Sequence, residues 1–219
     1  MERTQASILE EIRKQVRHRL SLKYNWKRTP SSMMEKLEKR ANKMLYPARA
    51  MPSAKRDLNI HFDLGTDELG RDVASGLGEY VLLLLKRNVQ LRTLIVLGSR
   101  AKGRSKPESD IDVIVIASNL PGRSSAELSN IPQKILNIRR RFLLSDAPIF
   151  MGIQPSGCGS EEEFLTWLRD FKLSALDAVY YGKVIYDDGF WEQVLVEFRK
   201  IESKHRLNET NLKELLVPL

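Results

Sequence analysis

The sequence predicts an α/β or α+β fold in which a small mixed β-sheet is flanked by helices. Short apolar runs typical of strands alternate with longer segments whose apolar residues recur every three or four positions. Hydrophobic residues make up 42% of the 219 residues and charged residues 29%, which supports a packed core and excludes wholesale disorder. The length suits one mixed domain with an appended segment, or two small domains.

Neither a membrane-spanning segment nor a disulfide is expected. The strongest apolar runs, Tyr80–Leu85 and Leu94–Leu97, fall far short of the roughly 20 residues that span a bilayer. The N-terminus carries charges throughout and lacks the apolar stretch of a secretory signal. Cys158 is the single cysteine of the sequence, so an internal disulfide is excluded. We therefore expect a cytoplasmic protein with no membrane contact.

Residues 1–62 are predicted to form a basic helical N-terminal extension. Four apolar residues recur every four positions and define one face of its first helix: Ile8, Ile12, Val16 and Leu20. Pro30 interrupts this pattern, because proline disfavours helix at the residue before it. The sequence from Ser32 to Glu35 is that of a capping box, which predicts a second helix ending before Pro47.

The positive charge of the chain is concentrated in this extension. Residues 1–60 hold 15 Lys and Arg against 6 Asp and Glu, a balance of +9, whereas the whole chain carries +8. Because basic segments attract phosphates, the extension is a candidate for binding nucleic acid or a partner protein. The alternative is a solvated helix face that keeps the protein soluble. Tyr24 and Trp26, set among basic residues, either stack on bases or anchor packing.

Residues 63–190 are predicted to form the main domain, in which helices and strands alternate. The apolar face of its first helix, Asp67–Arg87, is formed by Leu69, Val73, Leu77, Tyr80, Val81 and Leu84. The next elements are strands at Leu94–Leu97 and Ile111–Ala117, a helix at 126–144, a strand at 148–154, a helix from Ser160 towards Tyr181, and a strand at Lys183–Tyr186.

Capping and turn sequences mark the end of this domain. Ser160 to Glu163 forms a capping box, and Asp187 to Gly189 has the composition of a turn. Residues 191–219 are predicted to form a C-terminal helical segment.

Two aspartates at the start of the second strand are the candidate catalytic and metal-binding residues. Asp110 and Asp112 are separated by one residue, and side chains i and i+2 of a strand point to the same face. Adjacent carboxylates repel each other, and a divalent cation is the usual way to neutralise them. The spacing therefore predicts a cation site formed by this pair.

A glycine turn precedes the two aspartates. Gly98 and Ser99 directly follow an apolar strand, and Gly103 follows in the same loop. Backbone N–H groups and a hydroxyl at such a turn suit an oxygen-rich anion such as phosphate. A phosphate site beside a carboxylate pair is the minimum apparatus for phosphoryl or nucleotidyl transfer. Each half alone is common in proteins, whereas the combination is specific.

A P-loop is excluded for the same stretch. Arg104 stands where a P-loop requires lysine before the Ser or Thr. Pro107 and the strand after it also leave no room for the helix that a P-loop opens.

These residues resemble the signature of the polymerase-β-like nucleotidyltransferase superfamily, most closely its small prokaryotic minimal nucleotidyltransferase domains. The signature consists of Gly98-Ser99 with Gly103, followed by Ser109-Asp110 and Asp112, and covers Leu94 to about Ala117. The resemblance implies a nucleoside triphosphate as substrate and Mg²⁺, with two ions possible, held by the two aspartates. The nucleotide-binding residues that it implies are Gly98, Ser99, Arg100, Lys102, Gly103 and Ser109.

The reaction implied by this resemblance is nucleotidyl transfer. An acceptor hydroxyl attacks the α-phosphorus of the nucleoside triphosphate, and pyrophosphate leaves. Two metal ions neutralise charge on the entering and leaving oxygens in such reactions.

One feature departs from the family. Its members usually carry a third carboxylate on a later strand, whereas the matching strand here, at 147–154, contains no acid. Asp146 lies just before that strand, where it either reaches the site or belongs to a turn. Two alternatives to an efficient enzyme therefore stay open. One is a catalytically weakened nucleotide- or nucleic-acid-binding module, and the other is an antitoxin-like protein that modifies a partner.

Overall fold

A four-stranded mixed sheet forms the centre of the protein. The computed structural model describes residues 4–26, 58–122, 133–144, 152–207 and 209–216. The strands are β1 (Leu91–Val96), β2 (Ile111–Ala117), β3 (Ile153–Gly159) and β4 (Lys183–Asp187). Their order is β3-β2-β1-β4, with β3 parallel to β2 and the other two pairs antiparallel. The predicted fold class, a small mixed sheet flanked by helices, is confirmed.

Helices cover both faces of this sheet. In the described part of the chain they are α1 (Gln5–Trp26), α2 (Val73–Lys86), α3 (Gly98–Ala101), α4 (Gln133–Leu144), α5 (Glu161–Arg169), α6 (Leu173–Tyr181), α7 (Phe190–His205) and α8 (Glu209–Leu216). Among these helices, none has both the length and the apolar character needed to cross a membrane. The helix predicted between Ser32 and Pro47 lies outside the described residues.

The side chains of β2 alternate between two buried clusters. Val113 and Val115 pack with α2 and α4 on one face, whereas Ile114 and Ile116 pack with α1 and α5–α8 on the other. A strand covered on both faces is apolar along its whole length, which is why β2 appears in the sequence as one continuous apolar run. Its predicted bounds, Ile111–Ala117, are confirmed.

Helix α1 is packed into the core of the domain. Ile8, Ile12 and Val16 are buried in the same cluster as the sheet residues Ile114 and Ile116. The periodicity of these residues therefore identified the buried face of α1. A domain boundary at residue 62 stays a prediction, but α1 itself shares the core of the following segment.

The basic side chains of α1 that the structure describes lie on its outer face. Arg13, Lys14 and Arg17 are exposed. Glu10 forms ion pairs with Arg13 at 3.6 Å and with Arg17 at 2.9 Å. Exposed pairs of this kind add little stability, because water and salt screen them. A role of residues 1–60 in binding nucleic acid or a partner stays a prediction.

Helix α2 begins at Val73, so the predicted start at Asp67 is wrong. Asp72 caps the helix by accepting a hydrogen bond from Ser75 N at 2.7 Å. Asp67 is buried and closes a turn, accepting from Leu69 N at 3.0 Å. Leu69 is therefore 75% exposed instead of lying on the apolar face of the helix. Leu69 lies in this turn, four residues before Val73, so its spacing in the sequence matched that of a helix although the turn is not helical.

Strand β3 begins at Ile153, and its predicted position at 148–154 is therefore wrong. Its sequence is rich in small residues because Trp167 of α5 packs across it. A Cβ on Gly157 would lie 3.3 Å from this indole, and a Cβ on Gly159 only 2.9 Å from it. Pro155 is tolerated because β3 is an edge strand of the sheet. The apolar pattern that normally predicts a strand is consequently weak here.

The predicted helix from Ser160 towards Tyr181 is two helices. The capping box is confirmed: Ser160 Oγ accepts from Glu163 N, and the Glu163 carboxylate accepts from Ser160 N. The first helix, α5, ends at Arg169, and Phe171 adopts a left-handed φ of +56°. This break redirects the chain so that α6 packs on the cluster that contains Phe171.

The corrected start of α2 predicts unequal effects for two leucines of the same sequence pattern. Leu77→Ala removes a fully buried side chain and should lower the free energy of unfolding by about 2–5 kcal/mol. Leu69→Ala should change it by no more than about 0.5 kcal/mol, because the side chain is exposed. Urea unfolding followed by circular dichroism measures both. Equal losses would mean that the helix begins earlier than the structure shows.

Candidate active site

The two candidate carboxylates lie where β2 begins. Asp110 immediately precedes β2, and Asp112 is the second residue of the strand, on the face that carries Ile114. The antiparallel pairing of β1 with β2 brings the end of β1 to the same place. Leu97 N donates a hydrogen bond to the carbonyl oxygen of Asp112 at 2.9 Å. The turn and the carboxylate pair predicted from the sequence therefore meet at one end of the sheet.

Glycine backbones approach both carboxylates closely. A Cβ on Gly98 would lie 3.2 Å from Oδ2 of Asp112, and a Cβ on Gly152 would lie 3.3 Å from Oδ1 of Asp110. The φ angles are +65° for Gly98 and +66° for Gly152, a backbone conformation that favours glycine. The sequence motif identified Gly98. It missed Gly152, which enters the site through the parallel pairing of β3 with β2.

The chain turns through α3 directly after β1. Lys102 N donates to the carbonyl oxygen of Gly98 at 3.2 Å, which closes one helical turn. The first N–H groups of a helical turn have no acceptor within it. The predicted nucleotide-binding residues Ser99 and Gly103 lie on this turn, with Ser99 partly exposed and Gly103 exposed. The turn thus offers amides and a hydroxyl beside the carboxylates.

The side chain of Arg100 is held by the protein. Arg100 is 1% exposed. Its guanidinium donates to the carbonyl oxygens of Leu64 at 3.0 Å and Thr66 at 3.3 Å, and to those of Pro107 at 3.2 Å and Ser109 at 2.8 Å. Arg100 therefore braces the loop between α3 and β2 from inside.

Ser109 also closes the loop before the carboxylates. Its hydroxyl accepts a hydrogen bond from Lys106 N at 2.9 Å, and its own N–H donates to the carbonyl oxygen of Lys106 at 2.9 Å. The residue that precedes Asp110 is thus fixed from both sides.

Lys102 is directed inward and meets an acid that the sequence analysis missed. Its Nζ lies 2.7 Å from Oδ1 of Asp177 on α6, and both side chains are almost fully buried. Gly98 N donates to the other oxygen of Asp177 at 3.4 Å. The available signal in the sequence was a single acid within the otherwise apolar helix of residues 173–181.

The carboxylate pair is electrostatically unfavourable in the protein alone. Desolvation raises the pKa of Asp110, and the negative charge of Asp112 raises it further, whereas the Arg100 guanidinium lowers it. The charged form of Asp110 is therefore disfavoured on balance. A cation placed between the two carboxylates would reverse this effect.

The donor atoms at this site fit magnesium. Mg²⁺ prefers oxygen ligands and is usually held by one or two carboxylates together with substrate phosphates. Asp110 and Asp112 provide two such carboxylates beside a turn that presents amides. Within the described residues, no three His, Cys, Asp or Glu side chains are grouped closely enough to hold a metal ion.

Gln154 occupies the position next to Asp112 on the neighbouring strand. The parallel register of β2 and β3 pairs Asp112 with Gln154, so both lie on the same face of the sheet. β3 contains no acid, in agreement with the absence of a third carboxylate from the sequence pattern. Asp146, the other candidate for that role, lies outside the described residues.

Sequence comparisons relate the chain to known proteins. Residues 80–147, which contain the turn and both aspartates, match the family described as Polymerase beta, Nucleotidyltransferase. A protein of Methanocaldococcus jannaschii that is provisionally named a protein adenylyltransferase is 29% identical over 117 residues, which cover 51% of this chain and 69% of that protein.

Part of the chain also matches solved structures of toxin–antitoxin proteins. A toxin–antitoxin crystal structure with AMP-PNP has 18% identity and a TM-score of 0.36, covering 58% of this chain and 86% of that one. A mutant of the toxin–antitoxin pair MntA–HpeT has 15% identity and a TM-score of 0.34, covering 58% and 85%.

The pairing of β1 with β2 brings the glycine turn and the paired aspartates together at one end of the sheet, within the matched segment. The segment of residues 80–147 matches the polymerase-beta nucleotidyltransferase family and contains both the turn and the two aspartates. The superfamily resemblance of the motif between Gly98 and Asp112 is thereby confirmed.

Asp110→Asn should raise stability at neutral pH. Because the pKa of Asp110 is raised in the folded protein, the wild type loses stability as the pH rises from the ordinary aspartate range through that raised value. The variant has no such loss, so it should be more stable than the wild type at neutral pH and equal to it in acid, where Asp110 is protonated in both the folded and unfolded states. Urea unfolding over a pH series measures this difference.

Glu68→Gln is the control for this experiment, since Glu68 is an exposed acid outside the carboxylate pair. If Asp110→Asn is less stable than the wild type at neutral pH, the repulsion between the carboxylates of Asp110 and Asp112 is contradicted.

Proposed function

We propose that this protein is a magnesium-dependent nucleotidyltransferase that moves a nucleoside monophosphate from a nucleoside triphosphate to an acceptor hydroxyl. One observation carries the proposal: the carboxylate of Asp112 lies directly against the Gly98 turn, and Asp110 is close enough for the two charges to interact. A triphosphate on the turn would therefore have its oxygens next to two carboxylates. This is the arrangement that phosphoryl-transfer sites use to position charge.

In the proposed site, one group of residues binds the metal and another binds the phosphates. Asp110 and Asp112 would hold magnesium through their carboxylate oxygens. The turn from Gly98 to Gly103, with the hydroxyl of Ser99, would hold the terminal phosphates. Magnesium, when bound, neutralises charge on the phosphate oxygens and favours departure of pyrophosphate.

In the transfer step, one bond to the α-phosphorus forms and another breaks. A bond forms between the acceptor oxygen and the α-phosphorus, while the bond from that phosphorus to the bridging oxygen of pyrophosphate breaks. The acceptor hydroxyl proton passes to water, because within the described residues the position beside Asp112 on β3 is Gln154, whose amide cannot accept it in place of a carboxylate. We therefore expect slow turnover, since a positioned base normally accelerates such a step.

ATP and a protein hydroxyl are the substrates that we favour. The relative from Methanocaldococcus jannaschii is provisionally named a protein adenylyltransferase, which supports adenylate as the transferred group and a protein as the acceptor. This assignment of substrates rests on that relationship, whereas the reaction class rests on the site.

Replacing either aspartate should slow transfer strongly. Asp110→Asn or Asp112→Asn removes a carboxylate while keeping the size of the side chain, and should lower the rate about 100- to 1000-fold. The measurement is incorporation of label from α-labelled ATP into protein in a cell extract, with Mg²⁺ and with EDTA. Repeating it with the other three nucleoside triphosphates establishes the base preference.

Asp188→Asn is the matched control for these variants. Asp188 pairs with Arg92 at 2.6 Å at the opposite end of the sheet, so its loss should leave transfer unchanged. Transfer at the wild-type rate in the Asp112→Asn variant, or transfer that proceeds equally in EDTA, would refute the proposed reaction.

A catalytically weakened nucleotide-binding module is the second candidate function. The observation that favours it is the amide of Gln154 at the register position beside Asp112. Such a module would bind MgATP with the same residues but would release no pyrophosphate in the presence of any acceptor. Calorimetric binding without turnover would therefore favour the module over the enzyme.

Gln154→Glu should accelerate transfer. A carboxylate at this position, on the same face as Asp112, can accept the proton of the acceptor hydroxyl and add a metal ligand. We expect the rate of pyrophosphate release in Mg²⁺ to rise at least about tenfold. Gln154→Ala, which provides no base, serves as the control and should show no increase. An unchanged or lower rate for Gln154→Glu would mean that this position does not face the reacting atoms.

A further inference from the structure

The buried ion pair of Lys102 and Asp177 lies directly under the Gly98 turn. The side chains are 3% and 1% exposed, and Nζ lies 2.7 Å from Oδ1. Lys102 Nζ also donates to the carbonyl oxygen of Leu216 on α8 at 2.9 Å and lies 4.9 Å from the centre of the Tyr181 ring. The ammonium group thus contacts α6 and α8 and is directed away from solvent.

Asp177 holds both ends of the turn. One of its oxygens pairs with Lys102, which follows the last residue of α3, and the other accepts from Gly98 N, at the first residue of α3, at 3.4 Å. Gly98 is in turn the residue whose backbone lies against Asp112. One carboxylate therefore connects the position of the turn to that of a candidate metal-binding aspartate.

Stability alone does not account for this pair. Removing two charges from water is costly, and replacing a buried ion pair with apolar side chains of similar volume often leaves stability unchanged or raises it. The connection to the Gly98 amide gives the pair a geometric role that apolar side chains would not provide. The same connection extends to α8 through Leu216.

We propose that Lys102 and Asp177 form a positioning pair that holds the Gly98 turn against Asp112, so that nucleotide binding depends on the pair although neither side chain touches the nucleotide. The part of this inference that concerns nucleotide binding rests on the proposed function. The part that concerns the position of the turn rests on the structure alone. It gives Lys102 an indirect role in the site in place of a direct phosphate contact.

The double variant Lys102→Met with Asp177→Leu separates positioning from stability. Because no lone charge stays buried, its thermal midpoint should remain near that of the wild type, whereas the single variant Asp177→Leu should lower the midpoint. The amide of Gly98 loses its acceptor in the double variant. The dissociation constant of MgATP, measured by titration calorimetry, should therefore rise about 10- to 100-fold.

The matched control is a second buried ion pair, Arg139 with Glu163. Their closest atoms are 2.7 Å apart, and both side chains are as buried as those of Lys102 and Asp177. Arg139 also donates to the carbonyl oxygen of Cys158, whose strand position pairs with Val115 near the far end of β2. Glu163→Gln should lower the thermal midpoint and leave MgATP binding unchanged.

Amide hydrogen exchange of residues 97–103 provides a readout without nucleotide. Exchange in this segment should be faster in the double variant than in the wild type and unchanged in Glu163→Gln. Unchanged exchange together with wild-type MgATP affinity in the double variant would overturn the positioning pair. If the wild type binds no MgATP, the proposed function fails, and the exchange comparison alone decides whether the pair holds the turn.

Discussion

The register between β1 and β2 is the constraint on which the site depends. Val96 pairs with Val113, and Leu97 N bonds to the Asp112 carbonyl, so the chain leaves β1 beside the first residues of β2. Because side chains alternate along a strand, a shift of one residue would turn Asp112 into the opposite cluster and bring a valine or isoleucine to the turn. Burial of apolar side chains on both faces of β2 therefore fixes the strand register, and the register determines where the polar candidate site lies.

The connection between β1 and β2 is held by charged groups directed inward. Arg100 donates to backbone carbonyls on both sides of it, and Lys102 pairs with Asp177 below it. Inward-facing cations leave the outer surface of the turn to backbone amides, Ser99 and glycine. A site for a triphosphate gains from this arrangement, because fixed amides need little reorganisation when an anion binds. Arg100 and Lys102 thus act as internal supports, whereas Arg104 and Lys106 of the same loop are exposed.

Local patterns predicted the residues that form the centre of the site, and long-range packing determined the rest. Asp110, Asp112 and Gly98 belong to one contiguous motif, so spacing alone brought them together. Asp177 and Gly152 reach the site through helix packing and parallel strand pairing, which local spacing does not encode. The elements follow the same rule. β2 is apolar throughout and was predicted with its bounds, whereas β3 is rich in glycine because Trp167 packs across it, and it was misplaced.

Gln154, the neighbour of Asp112 on β3, bears on proton removal from the acceptor and not on nucleotide binding. In the proposed enzyme, a triphosphate with magnesium would be bound by the carboxylate oxygens of Asp110 and Asp112 and by the amides of the Gly98 turn. Removing a proton from an acceptor requires a base, and the amide of Gln154 is not one. Under the proposed function, nucleotide affinity and the rate of transfer would therefore depend on different strands, β2 and β3.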